Sequence, residues 1–237
     1  MTAPRTVLAL EFRGVGDTAD FGFLAAPGGP VDLVRVDPLV HHIEHPLLLT
    51  EHARLILDAL PAAPDLVLAY CGTAALGLHI CSVAGTPAVL VDPYPVTAAD
   101  LRKDFARLCA SSGIDPAGLL DPEREPDVAR WESALLGSRD SMAEQYGGDD
   151  EAYELVDDLL DRYCGWLRFL RASMTAGPAA TGGGISVITA RPHPVLTPLL
   201  TAPAAARIHR VEAEGGLLDS PQVRKLLSAA VHGQEGT

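Results

Sequence analysis

The residue with the most chemistry to offer is Cys71, in the stretch Ala69-Tyr70-Cys71-Gly72-Thr73. It follows the apolar run Asp65 to Ala69 and precedes an apolar helix predicted over Ala74 to Ala84. A strand that breaks directly into a helix lifts the residue at the break out of the sheet. It also aims the next backbone N–H, here that of Gly72, at an oxyanion forming beside it. A thiolate is a stronger nucleophile than a hydroxyl, and the N-terminus of the following helix favours its charged form. The predicted chemistry is attack on an activated carbonyl through a covalent intermediate.

Other groups that could do chemistry read differently. Histidines gather at His41, His42, His45 and His52, with Asp37 and Glu44 nearby. His41 and His45 would share a helix face, but Pro46 interrupts there, and no His-Glu-x-x-His pattern or cysteine pair accompanies them. No metal site is expected, and the cluster reads as a solvated loop near a substrate mouth. Cys71, Cys81, Cys109 and Cys164 lie far apart without a Cys-x-x-Cys pair, so all four read as reduced thiols. Cys81 and Cys164 fall among apolar helix residues and are expected in the core.

The elements that must position Cys71 alternate. Strands are predicted at Thr6–Phe12, Val31–Val36, Asp65–Ala69, Ala88–Val91, Ile185–Ala190 and Arg207–Ala213. Helices are predicted over Leu47–Leu60, Ala74–Ala84, Asp149–Met174 and Pro221–Val231. Such alternation predicts an α/β fold with a mostly parallel sheet covered on both faces. From Thr97 to Gly148 the chain becomes charged and is punctuated by Pro and Gly, as expected of an inserted lid.

Composition bounds the partners. The chain has 237 residues, 48% of them apolar, enough for one well-cored domain. With 31 acidic against 18 basic residues, a net charge of -13 and no basic block, it is not built to neutralise a run of phosphates, which excludes nucleic acid. Apolar residues never run on for the length a membrane helix needs. Residues 1–5 lead into the first strand without a signal-peptide pattern, so a cytoplasmic protein is expected.

Three segments carry a resemblance. Phe12-Arg13-Gly14-Val15-Gly16-Asp17-Thr18-Ala19 with Phe23-Leu24, the turn at Cys71, and the Asp92-Pro93 step after the fourth strand resemble the thioesterases of polyketide and nonribosomal peptide synthesis, including their stand-alone editing members. The resemblance implies a single α/β-hydrolase domain over residues 1–237, with helices on both faces and a helical lid inserted at 97–148. It implies Cys71 as nucleophile, Asp92 as the acid, and the N–H groups of Val15 and Gly72 as the oxyanion hole. The chain departs from the family twice. Ala69 and Thr73 stand where the family's turn has glycine, and in Ala213-Glu214-Gly215-Gly216-Leu217-Leu218 the residue Glu214 stands where the family places its histidine. The base is then Glu214 with its proton affinity raised by burial, or His193 in Arg191-Pro192-His193-Pro194; His209, inside a strand, reads as packed or surface.

The substrate implied is an acyl or peptidyl group carried as a thioester on the phosphopantetheine of a carrier protein, with no cofactor held by the chain itself. Arg13, Tyr70, Tyr94, Phe105 and Trp131 are expected to contact it, and Leu108, Leu135 and Met142 to line the lid side. The acyl-enzyme thioester could be resolved by hydrolysis, by transfer or by cyclisation. The alternative, favoured by the displaced histidine, is a catalytically degenerate hydrolase that serves an assembly line as a binding or accessory protein.

Overall fold

All six predicted runs form strands; the four central ones are apolar and well covered, while the two edge runs, Val31–Val36 and Arg207–Arg210, are half-buried or exposed. The computed structural model describes residues 4–12, 20–25, 31–44, 46–192, 194–213 and 216–233. The strands are β1 (Arg5–Leu10), β2 (Val31–Val36), β3 (Leu66–Tyr70), β4 (Ala88–Val91), β5 (Ile185–Thr189) and β6 (Arg207–Arg210). Every pairing is parallel, in the order β2-β1-β3-β4-β5-β6. β6 stops at Arg210, short of the predicted Ala213; as an edge strand it has a ladder on one side only.

The helices are α1 (Val40–Glu44), α2 (Leu49–Ala59), α3 (Ala74–Ala84), α4 (Ala98–Ser111), α5 (Val128–Leu136), α6 (Arg139–Gln145), α7 (Asp150–Thr175) and α8 (Pro221–Val231). Among the described residues no helix is long and apolar enough to cross a membrane. The chain forms two compact units. Met1–Pro38, Leu48–Pro95 and Ala176–Thr237 make the sheet unit, and Leu39–Leu47 with Val96–Thr175 make a helical unit.

In the sheet unit, alternate strand residues face opposite layers. Val7, Ala9, Leu66, Leu68, Val89, Val91 and Ile188 share a core with Val223, Leu227 and Val231 of α8. Leu10, Val67 and Ala69 face Gly77 of α3, on which α2 packs. Arg5 at the start of β1 donates to the last carbonyls of α8, Ala230 at 2.6 Å and Val231 at 2.9 Å, satisfying groups the helix end leaves open. Because β1 is flanked by β2 on one side and β3 on the other, the strand order reverses there. The crevice outside the C-terminal ends of β1 and β3 is where open α/β sheets receive ligands.

The helical unit takes in residues 97–148 as α4, α5 and α6, and extends past them to α1 and α7. Its centre is a stacked pair, Phe105 on Trp131 with ring centroids 4.4 Å apart. Arg168 of α7 grips Glu132 of α5 through two hydrogen bonds of 2.9 and 3.0 Å and donates to the His42 carbonyl of α1 at 3.0 Å, tying three helices together.

Candidate active site

β3 ends at Tyr70 in extended backbone, and Cys71 then turns with φ +54° into a single 3-10 turn, Cys71–Thr73, that continues as α3. A left-handed residue with a Cβ costs about 1–2 kcal/mol, so something must hold it. Thr73 does so from a site 1% exposed: its hydroxyl accepts from the Tyr70 N–H and donates to the Tyr70 carbonyl, both at 2.9 Å. Thr73 is thus a clamp across the turn. Ala69 is accommodated by α3. A Cβ on Gly77 would stand 2.8 Å from the Ala69 Cβ, so the space that Ala69 takes up is left free by Gly77.

Cys71 is half-buried, while Cys81, Cys109 and Cys164 are buried thiols. Burial pushes Cys81 and Cys164 up to about 12 and Cys109 to about 11, which leaves these three inert as nucleophiles.

Asp92 follows β4 with φ +46°. Its backbone N–H donates to the Ile188 carbonyl at 2.7 Å. Its side chain accepts from the Thr189 hydroxyl at 2.8 Å on one oxygen, and from Arg191 Nε at 3.2 Å and Nη2 at 3.1 Å on the other. Among the described residues, its side-chain partners are therefore Thr189 and Arg191 and no histidine. The Arg191 guanidinium also lies over the Tyr94 ring, 5.5 Å from its centroid, and the Tyr94 hydroxyl stands 3.6 Å from the point a Cβ on Gly72 would occupy. Asp92, Arg191, Tyr94 and Gly72 form a connected series along the C-terminal edge of the sheet.

One buried carboxylate ties together the described residues on either side of positions 13–19. Glu11, 2% exposed, accepts from the Phe21 N–H at 2.6 Å and from Arg35 Nε at 2.6 Å, while its own N–H donates to the Val36 carbonyl at 3.0 Å. Arg35 also reaches Asp20 at 3.1 Å. Arg13 and Val15 lie between these anchors but outside the described residues, as do His193 and Glu214.

A cavity of about 250 Å³ opens at this end of the sheet beside Tyr70, walled by Asp20, Phe23, Leu218, Asp219 and Arg224. A larger one, about 300 Å³, lies at the opposite ends of the strands, between Arg5, Ala88, Ile185 and Arg207. The smaller one shares the end of the sheet that carries Cys71 and Asp92.

Two expectations are corrected. Phe105 and Trp131, expected to contact a substrate, are 0% and 2% exposed and cover each other in the core of the helical unit. His42 and His52, expected in a solvated loop, are fully buried on α1 and α2. His42 meets Phe169 edge-on at 5.6 Å, and His52 lies on the same buried helix face as Ala53 and Ile56. Among the described residues no group of three His, Cys, Asp or Glu side chains is arranged to hold a metal. Two contributors to the geometry escape a reading of the sequence. Thr73 carries a faint signal, a hydroxyl placed to serve backbone groups three residues back, and Arg191 carries one only once β5 is known to lie beside β4.

No protein-family model matches the chain. No curated protein is significantly similar to it in sequence. Solved structures do match over nearly its whole length. They include an α/β-hydrolase family protein from Desulfitobacterium hafniense, with a TM-score of 0.54, 12% identity, and 98% of this chain and 96% of that one covered. The thioesterase domain of NocB, solved as a covalent complex with a fluorophosphonate nocardicin G analogue, has a TM-score of 0.52, 16% identity, and coverage of 98% and 96%. RedJ, a thioesterase of the prodiginine pathway in Streptomyces coelicolor, solved with polyethylene glycol in its active site, has a TM-score of 0.50, 16% identity, and coverage of 98% and 92%. At these identities the likeness establishes the α/β-hydrolase fold.

Proposed function

We propose that this chain is a thioesterase-like enzyme of secondary metabolism that takes an acyl or peptidyl group from a carrier-protein thioester onto Cys71. The observation that carries the reading is the backbone of Cys71: a half-buried thiol at a left-handed strand-to-helix turn, beside the point where the strand order reverses. Strain held in place by a dedicated clamp is characteristic of a site that must present one side chain.

In the first step the Cys71 sulfur attacks the thioester carbonyl. The Gly72 N–H, together with that of Val15, stabilises the oxyanion. The bond from the carbonyl carbon to the pantetheine sulfur breaks, that sulfur leaves as a thiol carrying the proton Cys71 has lost, and the acyl group remains on Cys71. In the second step water, an amine or a carbanion of the same chain takes the acyl group, giving hydrolysis, transfer or ring closure. His193 or Glu214 is the group proposed to move the proton, since the described partners of Asp92 are Thr189 and Arg191.

A second reading is favoured by that same pairing. The described partners of Asp92 are a hydroxyl and an arginine, and a hydrolase without a histidine relay can persist as a binding partner of an assembly line. Intact-protein mass spectrometry after incubation with acyl-phosphopantetheine thioesters decides between the two. Mass gain on the wild type and none on Cys71→Ala supports the enzyme. No gain with any of several chain lengths, alongside capture by carrier domains, supports the binding protein.

A further inference from the structure

Among the described residues, the group in the acid position of the proposed site serves a hydroxyl and a guanidinium. Asp92 uses one oxygen for Thr189 and the other for Arg191, and the Arg191 backbone N–H is itself held by the Thr189 hydroxyl at 3.0 Å. The guanidinium is fixed on a second side by the Tyr94 ring. An arginine has five N–H donors in a rigid fork, and this one gives Asp92 only its Nε and Nη2 edge. Nη1 has no hydrogen-bond partner among the described residues, and the side chain is 46% exposed.

Two further observations separate this pair from an ordinary surface ion pair. Asp92 holds a left-handed backbone, and the other described non-glycine residue that does so is Cys71. The cation also stands one phenol ring away from Gly72, the residue whose N–H would face a developing oxyanion. In a chain of net charge -13 the overall field repels anions, so an anion that binds here must do so through direct contact with a fixed cation.

Resting on the thioesterase reading above, we infer that Arg191, oriented by Asp92, Thr189 and Tyr94, is a specificity residue that receives an anionic oxygen group of the substrate. The shared chemistry is a carboxylate or phosphate presented to the open Nη1 edge. It comes either from a carboxylate a few bonds beyond the thioester carbonyl or from the phosphate of the pantetheine arm. The charge-assisted hydrogen bonds formed there set which thioesters acylate Cys71.

The test compares acylation rates of Cys71 by mass spectrometry for two matched pairs: glutaryl against pentanoyl N-acetylcysteamine thioester, and pentanoyl-phosphopantetheine against pentanoyl-pantetheine. The wild type is expected to favour the charged member of one pair by about tenfold or more, the weight of one charge-assisted hydrogen bond. In Arg191→Gln that ratio falls to about one. Arg191→Lys keeps a reduced ratio, because an ammonium cannot bridge Asp92 and a substrate as a fork does. A preference in the first pair places the anion on the acyl chain, and in the second on the pantetheine phosphate. Equal rates within both pairs, or a preference that survives Arg191→Gln, overturn the inference while leaving the thioesterase reading in place. No acylation by any of the four overturns that reading and the inference with it.

Discussion

Cys71 and Asp92 close neighbouring parallel strands one step beyond the registered pair Tyr70 and Val91, and both leave the sheet with a left-handed backbone, at φ 54° and 46°. Adjacent parallel strands deliver their C-terminal residues to the same edge, so the register that aligns Ala69 with Leu90 also brings the thiol and the carboxylate to one rim. Thr73 holds the first turn, and the Thr189 and Arg191 contacts hold the second.

The thiols should separate sharply in reactivity. At about pH 8 a thiol pushed up to about 12 is thiolate in roughly one molecule in ten thousand, so Cys81 and Cys164 are silent, with Cys109 close behind. Peptide mapping after brief iodoacetamide treatment of the folded protein is expected to find label on Cys71 alone, and on all four cysteines in denaturant. Labelling of Cys71 no faster than the other three would contradict an activated site.

The clamp on the turn predicts a contrast between two substitutions. Thr73→Val keeps the shape but removes both bonds to Tyr70 and is expected to cost about 1–3 kcal/mol in urea unfolding. It should also slow Cys71 labelling. Thr73→Ser retains the hydroxyl and should recover most of both.

Gly77→Ala reverses the usual rule for helices. Alanine in a helix interior is ordinarily better than glycine by about 1 kcal/mol. Here the new Cβ would meet the Ala69 Cβ at 2.8 Å, and neither atom is on a flexible side chain. A loss of about 1–3 kcal/mol is expected, as for other overpacked cores. Adding Ala69→Gly should restore much of it, so the double-mutant cycle shows strong coupling. Additive effects would mean that α3 shifts freely on β3.

His79 predicts an acid-side weakness. Burial lowers its proton affinity below the ordinary 6.5, and the nearby Gly177 backbone opposes this only in part. Its Nδ1 meets the Thr50 hydroxyl at 3.1 Å, linking α3 to α2. The unfolded chain therefore binds the proton first as pH falls, and stability that is full above pH 6.5 declines as pH drops below it toward the lowered folded value. Denaturant melts on either side of 6.5 should show this slope, and His79→Gln should flatten it.

The central strands were legible because parallel strands covered on both faces read as unbroken apolar runs, and Gly85, with φ +72°, marks the end of α3 where the sequence places it. The turn at Cys71 was legible for a related reason, since a strand and a helix abut there without a linker. The partner of Asp92 was not, because Arg191 is 99 positions away and pairing across a sheet leaves no local pattern. Phe105 and Trp131 were misread for a different reason: an apolar residue facing a ligand and one facing a neighbouring helix have the same periodicity. The short α1 was hidden because five residues are too few for any periodicity to show.

Both excursions that build the helical unit, Leu39–Leu47 and Val96–Thr175, leave the sheet after a strand has ended, while β4 and β5 remain hydrogen-bonded neighbours from Ala88 and Ile185 to Val91 and Ile188. Each doubling of a closed loop adds only about 0.6 kcal/mol of entropic cost, so the sheet scarcely registers how much chain is inserted between two of its strands. The inserted helices can therefore be lengthened, trimmed or exchanged between residues 95 and 176 at little entropic cost to the sheet. Such changes leave in place the rim where β3 and β4 end.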